Sequence, residues 1–99
     1  MKEFTTKINT ISELMKSFSN KDKLSILCFL GDSTKNVSEI ITCSNISQSQ
    51  ISQYLGKMKL EGILDSEKVG KEVFYRISDE KVLEVISSLK EIFGEEKSC

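Results

Sequence analysis

Short amide and hydroxyl side chains recur on one side of the segment between residues 47 and 60, and they are the residues of the chain best suited to specific hydrogen bonding. With about 100° between residues on a helix, Ser49, Ser52, Gln53 and Gly56 cluster on one side, and Gln48 in the first turn is a further candidate for groove contact. Three apolar residues share the opposite side: Ile51, Leu55 and Met58. Amides and hydroxyls can hydrogen-bond base edges in the major groove of DNA, and a glutamine can pair with adenine through two hydrogen bonds. The pattern predicts a DNA-recognition helix with Gln53 as the first candidate for base contact, although a solvated polar helix would carry the same residues.

Gly56 lies on the polar side of the same helix. A glycine inside a helix costs about 0.5 to 1 kcal/mol relative to alanine. Two explanations are consistent with the sequence. Either the glycine permits close approach of the backbone to DNA, or tertiary packing holds the helix in spite of it.

Composition limits the chain to one domain and limits how it could contact DNA. With 99 residues and 38% hydrophobic content, residues 1–99 have room for a single core. The 14 basic and 15 acidic side chains give a net charge of −1, which excludes a uniformly basic surface. Residues 35–76 contain six basic and five acidic side chains, whereas residues 79–99 contain three and six. Phosphate contacts are therefore expected from the middle of the chain.

Two amphipathic helices are predicted before the polar segment. Residues 1–18 carry apolar side chains at helical spacing. Asn20 is a candidate N-cap for a second helix over about residues 21–30, and Gly31 is placed to end that helix. A polar loop over residues 32–35 is expected to follow.

Two start signals divide residues 36–60 into a pair of helices. Asn36 with Glu39, and Ser47 with Gln50, have the three-residue spacing of capping boxes. Two helices joined by a turn of three or four residues form a helix-turn-helix. The second helix of this pair is the one that carries the polar side described above.

A β-hairpin is predicted over residues 62–77, because the apolar period changes there from helical spacing to alternation. Such a hairpin directly after a recognition helix is called a wing. Lys68 and Lys71 flank its turn, and their ammonium groups could contact phosphates beside the groove. The alternative is that they only keep an edge strand soluble. The full set of phosphate candidates is Lys57, Lys59, Lys68 and Lys71.

The last predicted helix covers residues 79–93, with Asp79 in its N-terminal cap. Its apolar face and that of residues 1–18 are wider than a small core requires, so both are expected to pair with a second copy of the chain. In such a two-fold dimer the recognition helices would lie about 34 Å apart and would fit an inverted-repeat operator. The alternative is that both helices only complete a monomer core. Residues 94–99 are expected to be a flexible tail.

These elements predict a mainly α fold with a β-hairpin wing, in the α+β class. The architecture is a winged helix-turn-helix of about five helices that forms a homodimer through its first and last helices. The longest apolar run is too short to span a bilayer and no signal peptide is recognised, so a cytoplasmic location without a membrane partner is expected. With no histidine, phosphate-binding loop or acid cluster beside a nucleophile, no enzyme activity is expected.

Between about residues 21 and 93 the chain resembles the ArsR/SmtB family of small winged-helix repressors. The segments that carry the resemblance are Lys23-Leu24-Ser25-Ile26-Leu27, Val37-Ser38-Glu39-Ile40, Ser47-Gln48-Ser49, Ile51-Ser52-Gln53 with Leu55, Gly62-Ile63-Leu64 and Val73-Phe74-Tyr75-Arg76-Ile77. The resemblance implies a cytoplasmic homodimer that represses transcription by binding a double-stranded DNA operator. It also implies that an inducer releases the protein from that operator.

The metal sites of the family are not matched in this chain. Thiolate sensors of the family have a Cys-x-Cys pair at the positions occupied here by Asn36 and Ser38. Zinc sensors of the family use histidines together with carboxylates on the last helix, and this chain has no histidine. Neither a metal nor another cofactor is therefore expected.

One branch of the family lacks metal sites and responds to oxidants or reactive sulfur through two cysteines. Cys28 matches the first position, in the second helix, and the segment around it resembles the HlyU-like members of that branch. Cys99 is the candidate partner, although it lies several residues beyond the place expected for the second cysteine. The alternatives are a small buried side chain for Cys28 and a thiol on a mobile tail for Cys99.

The predicted function is sequence-specific DNA binding by a homodimeric transcriptional regulator, either a repressor or an anti-repressor, that responds to oxidants or reactive sulfur through Cys28. The alternative is a winged-helix protein-interaction module without sequence-specific DNA binding, which the near-neutral charge allows.

Overall fold

The structure is a computed structural model that describes residues 2–94, with side chains from residue 5 onward. Its helices and strands follow in the order α1 (Lys2–Ser19), α2 (Lys21–Leu30), β1 (Lys35–Asn36), α3 (Val37–Cys43), α4 (Gln48–Leu60), β2 (Leu64–Val69), β3 (Glu72–Ile77) and α5 (Glu80–Phe93). Five helices and a β-hairpin in this order form a winged helix-turn-helix, so the predicted fold class is confirmed.

Local capping explains why the helices begin where they do. The side chain of Asn20 accepts hydrogen bonds from the backbone N–H groups of Asp22 and Lys23, at 2.9 and 3.1 Å. Asn36 and Glu39 form the predicted capping box, because each side chain accepts from the other residue's backbone N–H. Caps of this kind contribute about 1 kcal/mol each, which explains why boundaries predicted from cap residues agree with the structure.

A four-residue turn, residues 44–47, separates α3 from α4. At its end the Ser47 hydroxyl accepts from the backbone N–H of Gln50 at 3.3 Å and so caps α4. The Gln50 side chain does not reach back to the backbone of the cap, and its oxygen instead accepts from the Ser47 hydroxyl at 3.3 Å. The helix-turn-helix predicted over residues 36–60 is therefore present, with half of the second capping box replaced by a contact between side chains.

The wing is a tight hairpin in which β2 pairs antiparallel with β3 from Leu64↔Ile77 to Val69↔Glu72. Only Gly70 and Lys71 remain in the loop. Gly70 has φ of +63°, whereas φ of Lys71 is negative, because every positive φ among the described residues belongs to a glycine. A positive φ at only the first of the two loop residues is the pattern of a type II′ turn. The turn therefore presents Lys71 at the outermost point of the wing.

A third strand, β1, was not predicted, because the sequence places Lys35 in a polar loop. The sheet order is β1-β3-β2, and Lys35 and Asn36 pair antiparallel with Tyr75 and Phe74 of β3. The Lys35 ammonium also lies 5.3 Å from the centre of the Phe29 ring, a cation–π distance. Two residues are too short to show a strand period, and this strand forms only because the edge of β3 is available.

The hydrophobic core lies where α2, α4, α5 and the base of the wing meet. Its fully or almost fully buried apolar side chains are Ile26, Leu27, Leu30, Ile40, Ile51, Leu55, Met58, Ile63, Leu64, Ile77, Val82 and Ile86. The backbone N–H of Ile63 also donates to the carbonyl of Met58 at 2.9 Å, which joins the end of α4 to the start of the wing. Helix α4 is thus fixed on the fold by its apolar side and its C-terminal end.

Apolar side chains remain exposed on α1 and α5 of the single chain. On α1 they are Ile8, Ile11 and Met15, with 45%, 49% and 41% of their surface exposed, and on α5 they are Ile92 and Phe93. No helix among residues 2–94 is both long and apolar enough to cross a membrane. The exposed residues therefore leave apolar surface on the two helices that were predicted to pair with a second copy.

Candidate nucleic-acid interface

The polar side of α4 faces solvent along its length. Gln48, Ser49, Ser52 and Gln53 are all exposed. Their neighbours on the apolar side of the helix, Ile51, Leu55 and Met58, are at most 1% exposed. The predicted division of α4 into a buried and an exposed side is confirmed, and all four polar residues are exposed.

The orientation of α4 is set by contacts on its buried side. The Tyr54 hydroxyl lies 3.5 Å from a carboxylate oxygen of Asp22, to which it can donate, at the beginning of α2. Asp22 is itself held in the first turn of α2 by the Asn20 cap. This contact, together with the apolar core, fixes the rotation of α4 about its own axis and so fixes which side chains point outward.

Two of the four candidate lysines lie on α4, at opposite edges of its exposed side by helical geometry. Lys57 is exposed, and its edge is the one away from the wing. Lys59 is exposed but its ammonium group donates to the hydroxyl of Ser66 on β2 at 2.6 Å. An ammonium has three donors, so this contact leaves Lys59 able to bind a phosphate while holding its side chain toward the wing.

The other two candidate lysines, Lys68 and Lys71, lie at the end of the wing and are exposed. The ion pairs of the described residues join Lys16 to Glu13 and Arg76 to Asp65, so they involve none of the four candidates. Lys68 lies on β2 opposite Val73, and Lys71 lies in the turn. Their side chains are therefore exposed at the end of the wing, where a wing contact with phosphates would be made.

One exposed residue of this surface was not among the predicted contacts. Leu60, the last residue of α4, is 91% exposed. It lies seven residues after Gln53, close to two helical turns, and so continues the polar side. That spacing is the signal in the sequence that could have identified it.

Cys28 lies in α2, is half-buried and packs against the core. Its predicted partner, Cys99, lies outside the described residues. Asn36 and Ser38 occupy the start of α3, where Asn36 serves as a cap. The described residues contain no cluster of three or more His, Cys, Asp or Glu that could hold a metal ion.

The chain is similar to characterised bacterial regulators over most of its length. Residues 20–66 match the family described as "Bacterial regulatory protein, arsR family". The HTH-type transcriptional regulator YgaV of Escherichia coli strain K12 is 33% identical over 81 residues, which cover 81% of this chain and 82% of that protein. The transcriptional activator HlyU of Vibrio cholerae is 32% identical over 80 residues, which cover 81% of this chain and 74% of that protein.

A solved structure agrees with these sequence similarities. Reduced HlyU from Vibrio cholerae superimposes with a TM-score of 0.88 at 29% identity, covering 94% of this chain and 98% of that one. The predicted similarity to the HlyU-like branch is confirmed. The chain belongs to the arsR family of bacterial regulatory proteins and is a winged helix-turn-helix transcriptional regulator of that family.

Proposed function

We propose that two copies of this chain bind an inverted-repeat DNA operator and place their α4 helices in successive turns of the major groove. The observation that carries the proposal is the exposed amide and hydroxyl side of α4, which is held outward by a fully buried apolar side. A major groove about 12 Å wide admits one helix, and short polar side chains let that helix approach the base edges. Binding of this kind would take place in the cytoplasm, where bacterial DNA lies.

Within this proposal the exposed residues divide into two groups by chemistry. Gln53 contacts a base, and its amide can both donate to and accept from adenine. Gln48, Ser49 and Ser52 contribute the remaining hydrogen bonds in the groove. Lys57, Lys59, Lys68 and Lys71 contact phosphates, which fixes the position of the domain without distinguishing sequences.

Dimer formation is supported by the apolar surface that α1 and α5 leave exposed. Ile92 and Phe93 of α5 are 71% and 80% exposed, and Ile8, Ile11 and Met15 of α1 are each close to half exposed. A second copy related by a two-fold axis would cover the same patch on both chains. The same axis would relate the two α4 helices and give them the spacing that an inverted repeat requires.

Two substitutions test the division between base and phosphate contacts. Gln53→Ala should reduce discrimination between the best operator and its single-base variants by about tenfold, because the two-point amide contact is lost. Lys71→Ala should weaken binding to all sequences alike and should lower the slope of log affinity against log salt concentration by about one, because one fewer counterion is released. Affinities of both variants for a panel of duplexes, measured at several salt concentrations, check these expectations.

Lys81→Ala is the matched control, since Lys81 is exposed on α5 and is not one of the candidate DNA contacts. It should leave both selectivity and salt slope as in the original protein. Equal loss of selectivity from Gln53→Ala and Lys71→Ala would contradict the division. A purified protein with no sequence-selective complex at low or moderate salt would instead favour the protein-interaction module.

We further propose that release from DNA follows oxidation of Cys28. A peroxide would oxidise the Cys28 thiol to a sulfenic acid: the sulfur gains one oxygen as the O–O bond breaks, and the second oxygen leaves as water. Support comes from the place of Cys28 in α2, where a new covalent bond would act on the helix that contacts α4 through Asp22 and Tyr54. An effector of this kind acts by favouring a dimer geometry whose recognition helices no longer fit the operator.

Replacement of the thiol tests this part of the proposal. Hydrogen peroxide should weaken operator binding by the original protein by about tenfold, a typical size for allosteric coupling. Cys28→Ser should bind the operator normally under reducing conditions and should no longer respond. Gel-shift titrations with and without peroxide, with thiols counted by alkylation, measure both effects. A full peroxide response in Cys28→Ser would refute a role for this thiol.

A further inference from the structure

Leu60 is the most exposed large apolar side chain of the described residues, at 91%. It lies on α4 and not on α1 or α5, so the proposed dimer would not cover it. A leucine side chain cannot form hydrogen bonds with water. The buried apolar side of α4 consists of Ile51, Leu55 and Met58, and Leu60 is not part of it. Its position relative to the residues proposed to face the groove indicates that DNA is the surface that Leu60 contacts.

Leu60 ends a straight row along the outer side of α4. Helical geometry places Ser49, Gln53, Gly56 and Leu60 on this row, at intervals of four, three and four residues. Seven residues separate Gln53 from Leu60, which is about 10.5 Å along the helix axis. Base pairs in DNA are spaced by about 3.4 Å along the DNA axis, and the path along the groove is longer, so this distance corresponds to about two base pairs when the helix follows the groove.

Gly56 lies between Gln53 and Leu60 on this row, and the fold itself gives no reason for a glycine there. Its φ is not positive, since the positive-φ glycines are Gly31, Gly62, Gly70 and Gly94. A Cβ built on Gly56 would meet no atom of the described chain within 4 Å, apart from its chain neighbours and the adjacent backbone of its own helix. The missing side chain therefore leaves open space on the outside of α4, where a bound molecule could approach the backbone closely.

We propose that Leu60 is a specificity-determining residue that contacts the 5-methyl group of a thymine in the major groove, about two base pairs from the base contacted by Gln53. Gly56 lets α4 lie close enough to the groove floor for this contact. The methyl group of thymine is the apolar group that a base presents in the major groove, and apolar side chains recognise it. The inference rests on the proposed function, because it assigns a base to a residue of the same surface.

The experiment uses the purified full-length chain and synthetic duplexes that it selects from a random double-stranded library. Each thymine of the selected duplex is replaced in turn by uracil, which removes only the methyl group. One uracil position in each half-site should weaken binding by the original protein by about fourfold, the effect of burying one methyl group. Leu60→Ala should bind the thymine duplex more weakly and should not distinguish it from that uracil duplex.

Lys57→Ala is the matched control on the same helix. It should lower the salt slope but keep the response to uracil, whereas Leu60→Ala should keep the salt slope and lose the response. Selective binding that is unchanged by Leu60→Ala and by every uracil would overturn this inference alone and would assign the exposed leucine to a protein partner. Failure to select any duplex would overturn the proposed function, and this inference with it.

Discussion

Ile11→Glu should convert the chain to a monomer and should weaken binding to the inverted-repeat operator by about 100-fold or more. Ile11 is 49% exposed in the single chain and lies at the middle of the apolar row of α1. In the proposed dimer a glutamate at this position would be removed from water without an opposite charge, which costs several kcal/mol. The two-fold axis repeats that cost on both chains.

Two measurements separate this effect from unfolding. Analytical ultracentrifugation should show a monomer, and circular dichroism should show the helix content of the original protein, because Ile11 contributes little to the core of a single chain. A duplex that contains one half-site should be bound equally by the variant and by the monomer of the original protein. The loss should appear only with two correctly spaced half-sites, since these require the dimer.

Asn9→Glu is the matched control, because it adds the same charge on the opposite side of α1. Asn9 is exposed and lies about 160° from Ile11 around the helix. The control should remain dimeric and should bind the operator normally, apart from a small effect of net charge. If Ile11→Glu also remains dimeric with full affinity, the exposed apolar row of α1 is not the dimer interface.

Local signals in the sequence were sufficient for most of the fold. Asn20, Asn36 and Asp79 each cap a helix as predicted, because a cap depends only on residues within the first turn. Apolar spacing also predicted which side of α4 is buried, since only one arrangement of that helix can cover Ile51 and Leu55 together. These features needed no knowledge of how distant segments pack.

Features that depend on distant contacts could not be predicted. Strand β1 forms through pairing of Lys35 with Tyr75, forty positions later, and its own two residues carry no strand pattern. The donation from Lys59 to Ser66 depends on how the end of α4 lies against β2. The sequence suggested Lys59 as a phosphate contact, but only the structure shows that its side chain is directed toward the wing.

The exposure of Leu60 is a related case. Leucine predicts burial in most contexts, and position 60 falls near the end of a helix, where the apolar pattern is weakest. The structure shows that this leucine belongs to the outer row. Its place beside Gly56 links two residues that were unexplained by the sequence when each was considered alone.

The same substitution at two positions of α4 should have very different effects on stability. Leu55→Ala should lower the free energy of unfolding by about 2 to 5 kcal/mol, because Leu55 is 1% exposed and its removal leaves a cavity in the core. Leu60→Ala should change it by less than about 0.5 kcal/mol, because the side chain is already in water. Leucine and alanine differ little in helix propensity, so the difference between the two variants reports burial.

Urea unfolding followed by circular dichroism measures both values. All samples need the same subunit concentration, because dimer formation also adds to stability. The denaturant slope should stay constant, so that a shift in midpoint reports a change in stability alone. Equal losses from Leu55→Ala and Leu60→Ala would mean that α4 is rotated from the orientation described here. In that case its amide and hydroxyl side chains would not face a groove, and the assignments of Gln53 and Leu60 would fail together.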